Sequence, residues 1–547
     1  MNYLQKLTKR KYMKYILYTI YFIYFLYRKY MKTIIKSISF IIILCFMVLG
    51  VRNILAVPKS AINEKTGIHD IHKYPNSYDV CFIGRSTVIS NISCQELYEQ
   101  YGIAGVTAGV SGQIFPMSLY TFEEVMNYQS PKVVFLDTRI LFESAKSEMK
   151  SYQDEAALHF TLDDIKTLSI KRKALEKAKL YNEEIDEWDY YSKLYYSHDN
   201  WKNISQKNFL KYDDKLTTNM HGNTLYLDVA NNIQNTYATS RREETAVITR
   251  QTQKYVSDML KICEESGSDL VLLTGYVHST KAQHHAVTEL AHRLNLKFLD
   301  INQFLIKTNF DYNMDLYDAV HFNLSGAIKM THLIGDFLTK NYKFSDKRNE
   351  DAYSRYENYR VEFDQHKRYL SSKQKLLSSV SFYDYLQTLK NLNTEENIIF
   401  ITIYGDAMNK LTLKEAQLLQ DLELRANLYG KKDGSYAAVI YKDNIQEKFN
   451  FLNAVKIEDE IGKLEFEISS GGTKSGERSS ILINEKEYFS GGKGFNFFIY
   501  NTEFEQILNT CYFDTTSTVN PSQSRNKSLL TINKQEETAP NVWESVE

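Results

Sequence analysis

Tyr78-Asp-Val-Cys-Phe-Ile-Gly-Arg-Ser-Thr87 is the stretch whose reading decides the fold. Val80 to Ile83 is an apolar run of strand-forming residues, and Gly84 permits a sharp exit from it. Ser86 follows two residues later. On such a turn a serine points its hydroxyl above the edge of a parallel sheet, where backbone N–H groups of the next helix face the same space. Gly-x-Ser is a short pattern, and the competing reading is a serine that merely caps a helix.

Far downstream, Asp318-Ala-Val-His321-Phe-Asn-Leu-Ser-Gly326 sets an aspartate and a histidine three positions apart, ahead of a helix-like segment from Ala327 to Leu338. At that spacing both side chains lie on one side of a helical turn. His321 then takes a proton from Ser86 while Asp318 orients its ring. The alternative is an aspartate cap beside a surface histidine. Together the strand-end serine and the late pair resemble the SGNH/GDSL hydrolase superfamily over roughly residues 76–342. Within it the chain is most similar to the membrane-anchored D-alanyl-lipoteichoic-acid and polysaccharide O-acetylation types of Gram-positive bacteria. The resemblance implies a flavodoxin-like three-layer α/β fold with a parallel sheet. It also implies a serine esterase or O-acyltransferase that needs no cofactor or metal and acts on acyl esters of cell-wall or exported polysaccharide. A membrane-bound O-acyltransferase would be its partner. The runner-up is a non-catalytic glycan-binding or assembly protein on a degenerate hydrolase fold.

A chain of 547 residues has room for two or three domains, and an apolar content of 43% supports a sizeable core. The net charge of -1 gives no reason to expect nucleic acid as a partner. Tyrosine is abundant at 41 residues, which reads either as sugar-stacking surface or, more simply, as the product of an AT-rich coding sequence. The five cysteines, Cys45, Cys81, Cys94, Cys263 and Cys511, have no paired spacing, so neither a zinc site nor a disulfide framework is expected.

The first 60 residues carry no acidic side chain. Lys6, Lys9, Arg10, Lys11 and Lys14 precede an aromatic apolar run from Tyr15 to Tyr27. Arg28, Lys29, Lys32 and Lys36 precede a second run from Ser37 to Val51. Extended back to Thr33, the second run is about long enough to span a bilayer, whereas the tyrosines of the first suit an interface. Met31 is an alternative start. The basic flanks keep the amino end in the cytosol and send the rest outward. Leu55-Ala-Val57 is a poor cleavage site, so an uncleaved single-pass anchor over residues 1–54 is expected, with a polar stalk at 55–75.

Within the hydrolase-like region, Val106-Thr-Ala-Gly109-Val-Ser-Gly-Gln113 reads as a short strand leaving into a glycine turn. In the resembled family this glycine donates to the oxyanion beside the nucleophile's own N–H, which assigns the pair to Gly109 and Ser86, with Gln113 nearby. Pro131 to Asp137 is a buried strand. Many family members end it with an asparagine as third oxyanion donor; here Asp137, Thr138 and Arg139 stand instead. Arg139 or Thr138 is left to serve, or Arg139 binds an anionic group of the substrate, as Arg85 does in the same reading.

Residues 145–255 are the least sheet-like, and an insertion of that length is expected to pack as a helical cap. Its aromatic patch, Trp188 to Tyr196 with Trp201, either lines a sugar groove or fastens the cap. The core resumes with a helix over Thr245 to Glu265, the strand Asp269 to Thr274, a loop holding His278, a helix over Ala282 to Leu294 and a strand ending at Asp300. Such alternation predicts a parallel sheet with helices on both faces and ligands at its carboxyl edge. Ser86, Gly109, Arg139, His278 and Asp300 would gather there, with His278 as a substrate contact.

Residues 343–379 read as a charged helical connector. Beyond it, two blocks resemble the interleukin-like inducer (PANDER-type) domain in swapped order: Asn397 to Tyr441 is like the usual second half, and Gly462 to Thr515 like the first. The domain is either permuted or one degenerate copy of two. The resemblance implies a carbohydrate-binding module at 380–516 in a mixed α+β fold. The polar tail, 517–547, is expected to be disordered.

Overall fold

The computed structural model describes residues 2–55, 67–113, 115–142, 149–150, 152–153, 155–192, 217–230, 245–490, 492–516 and 523–524. The chain divides into two units, Met1–Glu64 with Tyr152–Asp213, and Lys65–Ser151 with Asp214–Glu547.

In the first unit, α1 (Asn2–Leu55) is one unbroken helix. The two apolar runs on either side of Arg28, Lys29, Lys32 and Lys36 are therefore parts of one rod, with no hairpin between them. Among the described residues it is the one helix long and apolar enough to cross a membrane, over Met13–Val51. Phe22, Ile41 and Phe46 on it are exposed. Leu55-Ala-Val57, the poor cleavage candidate, extends beyond the described residues.

In the second unit, α2 (Gly67–Lys73) comes first. The second half of the expected stalk is thus folded: Ile68 and Ile71 are buried, and His72 Nε2 meets Glu124 Oε1 at 2.6 Å. The first half, 56–66, lies outside the described residues. Then follow β1 (Val80–Ile83), α3 (Ser86–Ser90), α4 (Cys94–Tyr101), β2 (Gly105–Thr107), α5 (Met117–Tyr128) and β3 (Val133–Asp137).

The insertion belongs to the first unit and contributes α6 (Glu155–Leu162), α7 (Leu168–Lys179) and α8 (Glu187–Ser192). Buried His159 lies 3.1 Å from Asp163 and 3.3 Å from Asp189. Trp188 at the head of the aromatic patch is 72% exposed; the patch from residue 193 through Trp201 lies outside the described residues. The insertion is shorter than the expected 145–255. From Asp214 the chain returns to the second unit, where the hairpin β4 (Thr217–Met220) and β5 (Asn223–Tyr226) packs beside α3. The sequence hid this because four-residue strands without an alternating pattern give no periodic signal.

The second unit continues with α9 (Arg250–Ser266), β6 (Asp269–Thr274), α10 (Lys281–Leu294), β7 (Lys297–Asp300) and α11 (Leu324–Asn341). Five strands form one all-parallel sheet in the order β2-β1-β3-β6-β7. Side chains alternate between its faces, and both faces are covered. Val80, Phe82, Val133, Phe135, Val271 and Leu273 enter one core, shared with α3, α4 and α11. Cys81, Ile83, Val134, Leu136, Leu270 and Leu272 enter the other, shared with α5, α9 and α10. The near-continuous apolar runs of these strands follow from that double burial.

Next come α12 (Ser354–Ser378), α13 (Phe382–Lys390), β8 (Asn397–Tyr404), α14 (Leu413–Asp421), β9 (Ser435–Tyr441), β10 (Asn444–Asn450), β11 (Val455–Ile461), β12 (Leu464–Gly471), β13 (Arg478–Ile483), β14 (Lys486–Ser490), β15 (Gly494–Asn501) and β16 (Gln506–Phe513). The two sequence blocks build one mixed sheet. β8 runs antiparallel to β9 and β15 and meets β12 in parallel where Tyr404 pairs with Gly471. Most of the tail lies outside the described residues, but Gln523–Ser524 pairs with β16.

The expected connector is a structural element in its own right. On α12, Tyr356 Oη–H donates to Gly105 O at 2.7 Å and stacks on Tyr98 at 4.2 Å. Farther along, Tyr369 packs on Phe504 at 4.4 Å, and Lys373 pairs with Asp228 at 2.8 Å. The helix is therefore buried against both sheets.

Candidate active site

Ser86 is the first residue of α3, three positions past the end of β1. Its Oγ lies 2.7 Å from His321 Nε2, and His321 Nδ1 lies 2.7 Å from Asp318 Oδ2. The other carboxylate oxygen, Oδ1, accepts from the backbone N–H groups of Val320 (2.7 Å) and His321 (2.8 Å). An acceptor-only carboxylate at Nδ1 requires Nδ1 to carry the proton, which leaves Nε2 to accept from the Ser86 hydroxyl. Burial pushes the Asp318 carboxyl upward. The His321 side chain and the two N–H groups outweigh that and hold it below the usual carboxylate range. Asp318 is therefore an anion at neutral pH.

The pair does not sit on a helical turn, as its spacing predicts. Leu316 and Phe322 form an antiparallel bridge, and Tyr317 N–H donates to His321 O at 2.9 Å. A short side chain bonding its own backbone two and three residues on is a local turn device of aspartate. It brings Asp318 to His321 as effectively as a helix. Tyr226 stacks on Tyr317 at 3.8 Å, and its ring centroid lies 6.0 Å from that of His321. Asn323 caps α11 and reaches back to Met314 O (2.7 Å) and Asp228 O (3.1 Å).

The Ser86 turn is held from β3. Buried Asp137 accepts from Thr87 Oγ1–H and, at 3.0 Å, from Arg139 N–H; the Arg85 N–H also reaches it. Burial pushes the Asp137 carboxyl up, against the pull of these donors and the Arg139 charge. Asp137 is thus an acceptor at the position where the resembled family has a donor. Ladder bonds from Ala108 N–H to Phe82 O (2.7 Å) and from Val110 N–H to Gly84 O (3.1 Å) bring Gly109 alongside the turn. A Cβ on Gly109 would come within 2.7 Å of Arg85 O and 2.5 Å of Val88 Cγ2, so glycine is required by close approach.

The other expected site residues divide. Arg85 is half-buried beside Ser86. Arg139 lies over the Tyr276 ring at 6.0 Å. His278, in the loop after β6, has its pKa lowered by burial and by the Arg139 charge, with Asp318 pulling the other way; it is neutral at pH 7. Gln113 is turned to structure, its Oε1 accepting from Ser118 (3.0 Å) and its Nε2 donating to Thr121 (2.9 Å). Asp300 is engaged by His284 (2.6 Å) and Asn302 N–H (2.9 Å). Among the described residues no group of three or more His, Cys, Asp or Glu is arranged to hold a metal ion.

Thr87, Asn91 and Tyr226 are the site's unanticipated members. Thr87 adjoins Ser86 in the sequence; Asn91 and Tyr226 have no sequence signal at all. No family model, curated protein or solved structure matches this chain.

Proposed function

We propose that the protein is a serine acyl-transfer enzyme of the SGNH type, an esterase or O-acyltransferase. The observation that carries this is the continuous chain from Ser86 Oγ through both ring nitrogens of His321 to Asp318, each link at 2.7 Å. The strand order β2-β1-β3-β6-β7 supports the fold assignment, since it is the 2-1-3-4-5 order of flavodoxin-like sheets, whose ligands bind at the carboxyl edge.

In this reading Ser86 Oγ attacks the acyl carbonyl carbon and gives its proton to His321 Nε2. Asp318 stabilises the imidazolium. The N–H groups of Ser86 and Gly109 face the oxyanion. Collapse of the tetrahedral intermediate breaks the ester C–O bond, and the leaving alcohol takes the proton from Nε2. Water or a sugar hydroxyl then attacks the acyl-Ser86 ester by the same route reversed. Arg85, Arg139 and neutral His278 are polar groups that would contact the substrate in this reading.

The substrates are acyl esters of cell-surface or exported glycan, handled beside a membrane-bound O-acyltransferase. α1 is a single-pass anchor with both folded regions outside the cell of a Gram-positive bacterium, and the mixed sheet at 380–516 is a permuted inducer-type carbohydrate-binding module. One observation favours a binding protein on a decayed hydrolase fold: Asp137 accepts hydrogen bonds where an oxyanion donor is expected.

Mass spectrometry after treatment with a serine-directed phosphonate separates the two readings. Labelling of Ser86 that is lost in His321→Ala is the expected result. An unlabelled Ser86, with any ester hydrolysis unchanged in Ser86→Ala, overturns the enzyme reading.

A further inference from the structure

Asn91 is fully buried at the carboxyl end of α3, among Val88, Ile92 and Phe322 of the core. Burying an amide is costly unless each of its groups is bonded, and a leucine would satisfy the same apolar surroundings. Every group of this amide is bonded. Its Nδ2 donates to Gly275 O (2.8 Å) and Val320 O (3.1 Å), and its Oδ1 accepts from Phe322 N–H (2.8 Å) and lies 2.9 Å from the Ser90 hydroxyl. Both donors of the amide and its carbonyl oxygen are therefore engaged, with the single Ser90 proton shared between Oδ1 and the Ser86 carbonyl.

The identity of the partners matters more than their number. A helix cap bonds its own helix, and here the backbone N–H does so, to Thr87 O at 3.0 Å. The side chain bonds elsewhere. Val320 and Phe322 are the two residues flanking His321, and the amide grips the carbonyl of one and the N–H of the other. Gly275 O adds the end of β6. The Ser90 hydroxyl also lies 2.9 Å from the Ser86 carbonyl. Asn91 is itself tied to the nucleophile helix by its own N–H bond to Thr87 O, so its amide links that helix to the backbone on both sides of His321.

We propose that Asn91 is a positioning residue: its side-chain amide clamps the His321 loop to the nucleophile helix and sets the distance between Ser86 Oγ and His321 Nε2. The proposal rests on the reading of Ser86 and His321 as nucleophile and base. Asn91 does not touch substrate. Its loss should lower the chemical rate and leave KM unchanged. A displacement of about 1 Å at a reacting pair costs on the order of 100-fold, which bounds the effect of Asn91→Ala between roughly 10- and 100-fold in kcat.

The test uses full-length protein in detergent. It measures phosphonate inactivation of Ser86 and turnover of an activated acetyl ester, with thermal midpoints taken alongside. In the wild-type background Asn91→Ala should slow both. In a His321→Ala background, where labelling is lost and the residual ester turnover is the readout, the same substitution should slow that turnover no further, because the base it positions is gone. Equal losses in the two backgrounds, or no loss in a folded Asn91→Ala protein, overturn the proposal. Asn91→Asp keeps the shape. Its rate relative to wild type should rise as pH is lowered, since a protonated carboxyl regains one donor for Val320 O or Gly275 O; a flat ratio counts against the clamp. If Asn91→Ala does not fold, Ser90→Ala in the same two backgrounds decides, with a several-fold loss expected only where His321 is present. Wild-type protein that leaves Ser86 unlabelled refutes the nucleophile reading itself, a result distinct from labelling that ignores Asn91.

Discussion

His321 Nε2 stands 2.7 Å from Ser86 Oγ, although the two residues are 235 positions apart in the chain. That distance is already within hydrogen-bond reach for general-base catalysis, and no rearrangement is needed to assemble the pair. The same ring is bonded at its far nitrogen to an ionised carboxylate, so its tautomer and orientation are set by the protein itself.

Replacing either end of that bond should be severe. Ser86→Ala should abolish turnover of an activated acyl ester, and His321→Ala should lower kcat by orders of magnitude, because an unassisted hydroxyl is a poor nucleophile near neutral pH. Steady-state kinetics on purified protein check both. A His321→Ala enzyme within a few-fold of wild type would remove His321 from the mechanism.

Asp318→Asn should leave the fold intact and weaken turnover, since an amide that donates to Nδ1 selects the wrong tautomer. The sign of its pH effect is defined. Its folded-state pKa is lowered, so the carboxylate's contribution to stability is present above the unfolded value of about 3.9 and is lost as pH falls through the folded value. The gap in thermal midpoint between wild type and Asp318→Asn should therefore be open at neutral pH and closed in acid below the folded value of the carboxyl. A gap that stays open below the folded value would contradict this.

Asp137 and Thr87 should behave as one unit. Asp137→Ala strands buried donors on Thr87 and Arg139, at a cost of about 1–3 kcal/mol each in unfolding free energy. Thr87→Val removes the partner hydroxyl. Urea denaturation of the single and double variants should show losses that do not add, because the double variant no longer holds a stranded Thr87 hydroxyl. Additive losses would mean that the two side chains are energetically independent.

Protease added to intact protoplasts should remove the folded regions and leave a fragment near the amino terminus, if α1 anchors the chain with its carboxyl side outward. Full protection of the chain would place those regions inside.

The sequence alone determined the five parallel strands, from Val80–Ile83 to Lys297–Asp300, because strands buried on both faces must be apolar throughout and are bounded by glycine and polar breaks. Ser86, His321 and Asp318 were also legible in it as a set of residue types, since few other combinations suit proton transfer from a strand-end serine. The long apolar amino-terminal segment was equally legible. Tertiary structure alone decided the rest, for reasons particular to each element. Asp318 and His321 meet through an Asx-type loop and not a helical turn, because both arrangements share the same three-residue spacing. Gln113 turned inward once Ser118 and Thr121 offered it partners, a choice that periodicity does not encode. The hairpin at 217–226 joined the core because Asn223 satisfies the carbonyls of Ile89 and Ile92, and α12 became a wall between two sheets because Tyr356 and Tyr369 found partners 251 and 135 residues away. Asn91 is the clearest case: its four partners come from segments remote in the chain or from its own neighbour, and a buried amide is defined by what surrounds it, which no single stretch of sequence contains.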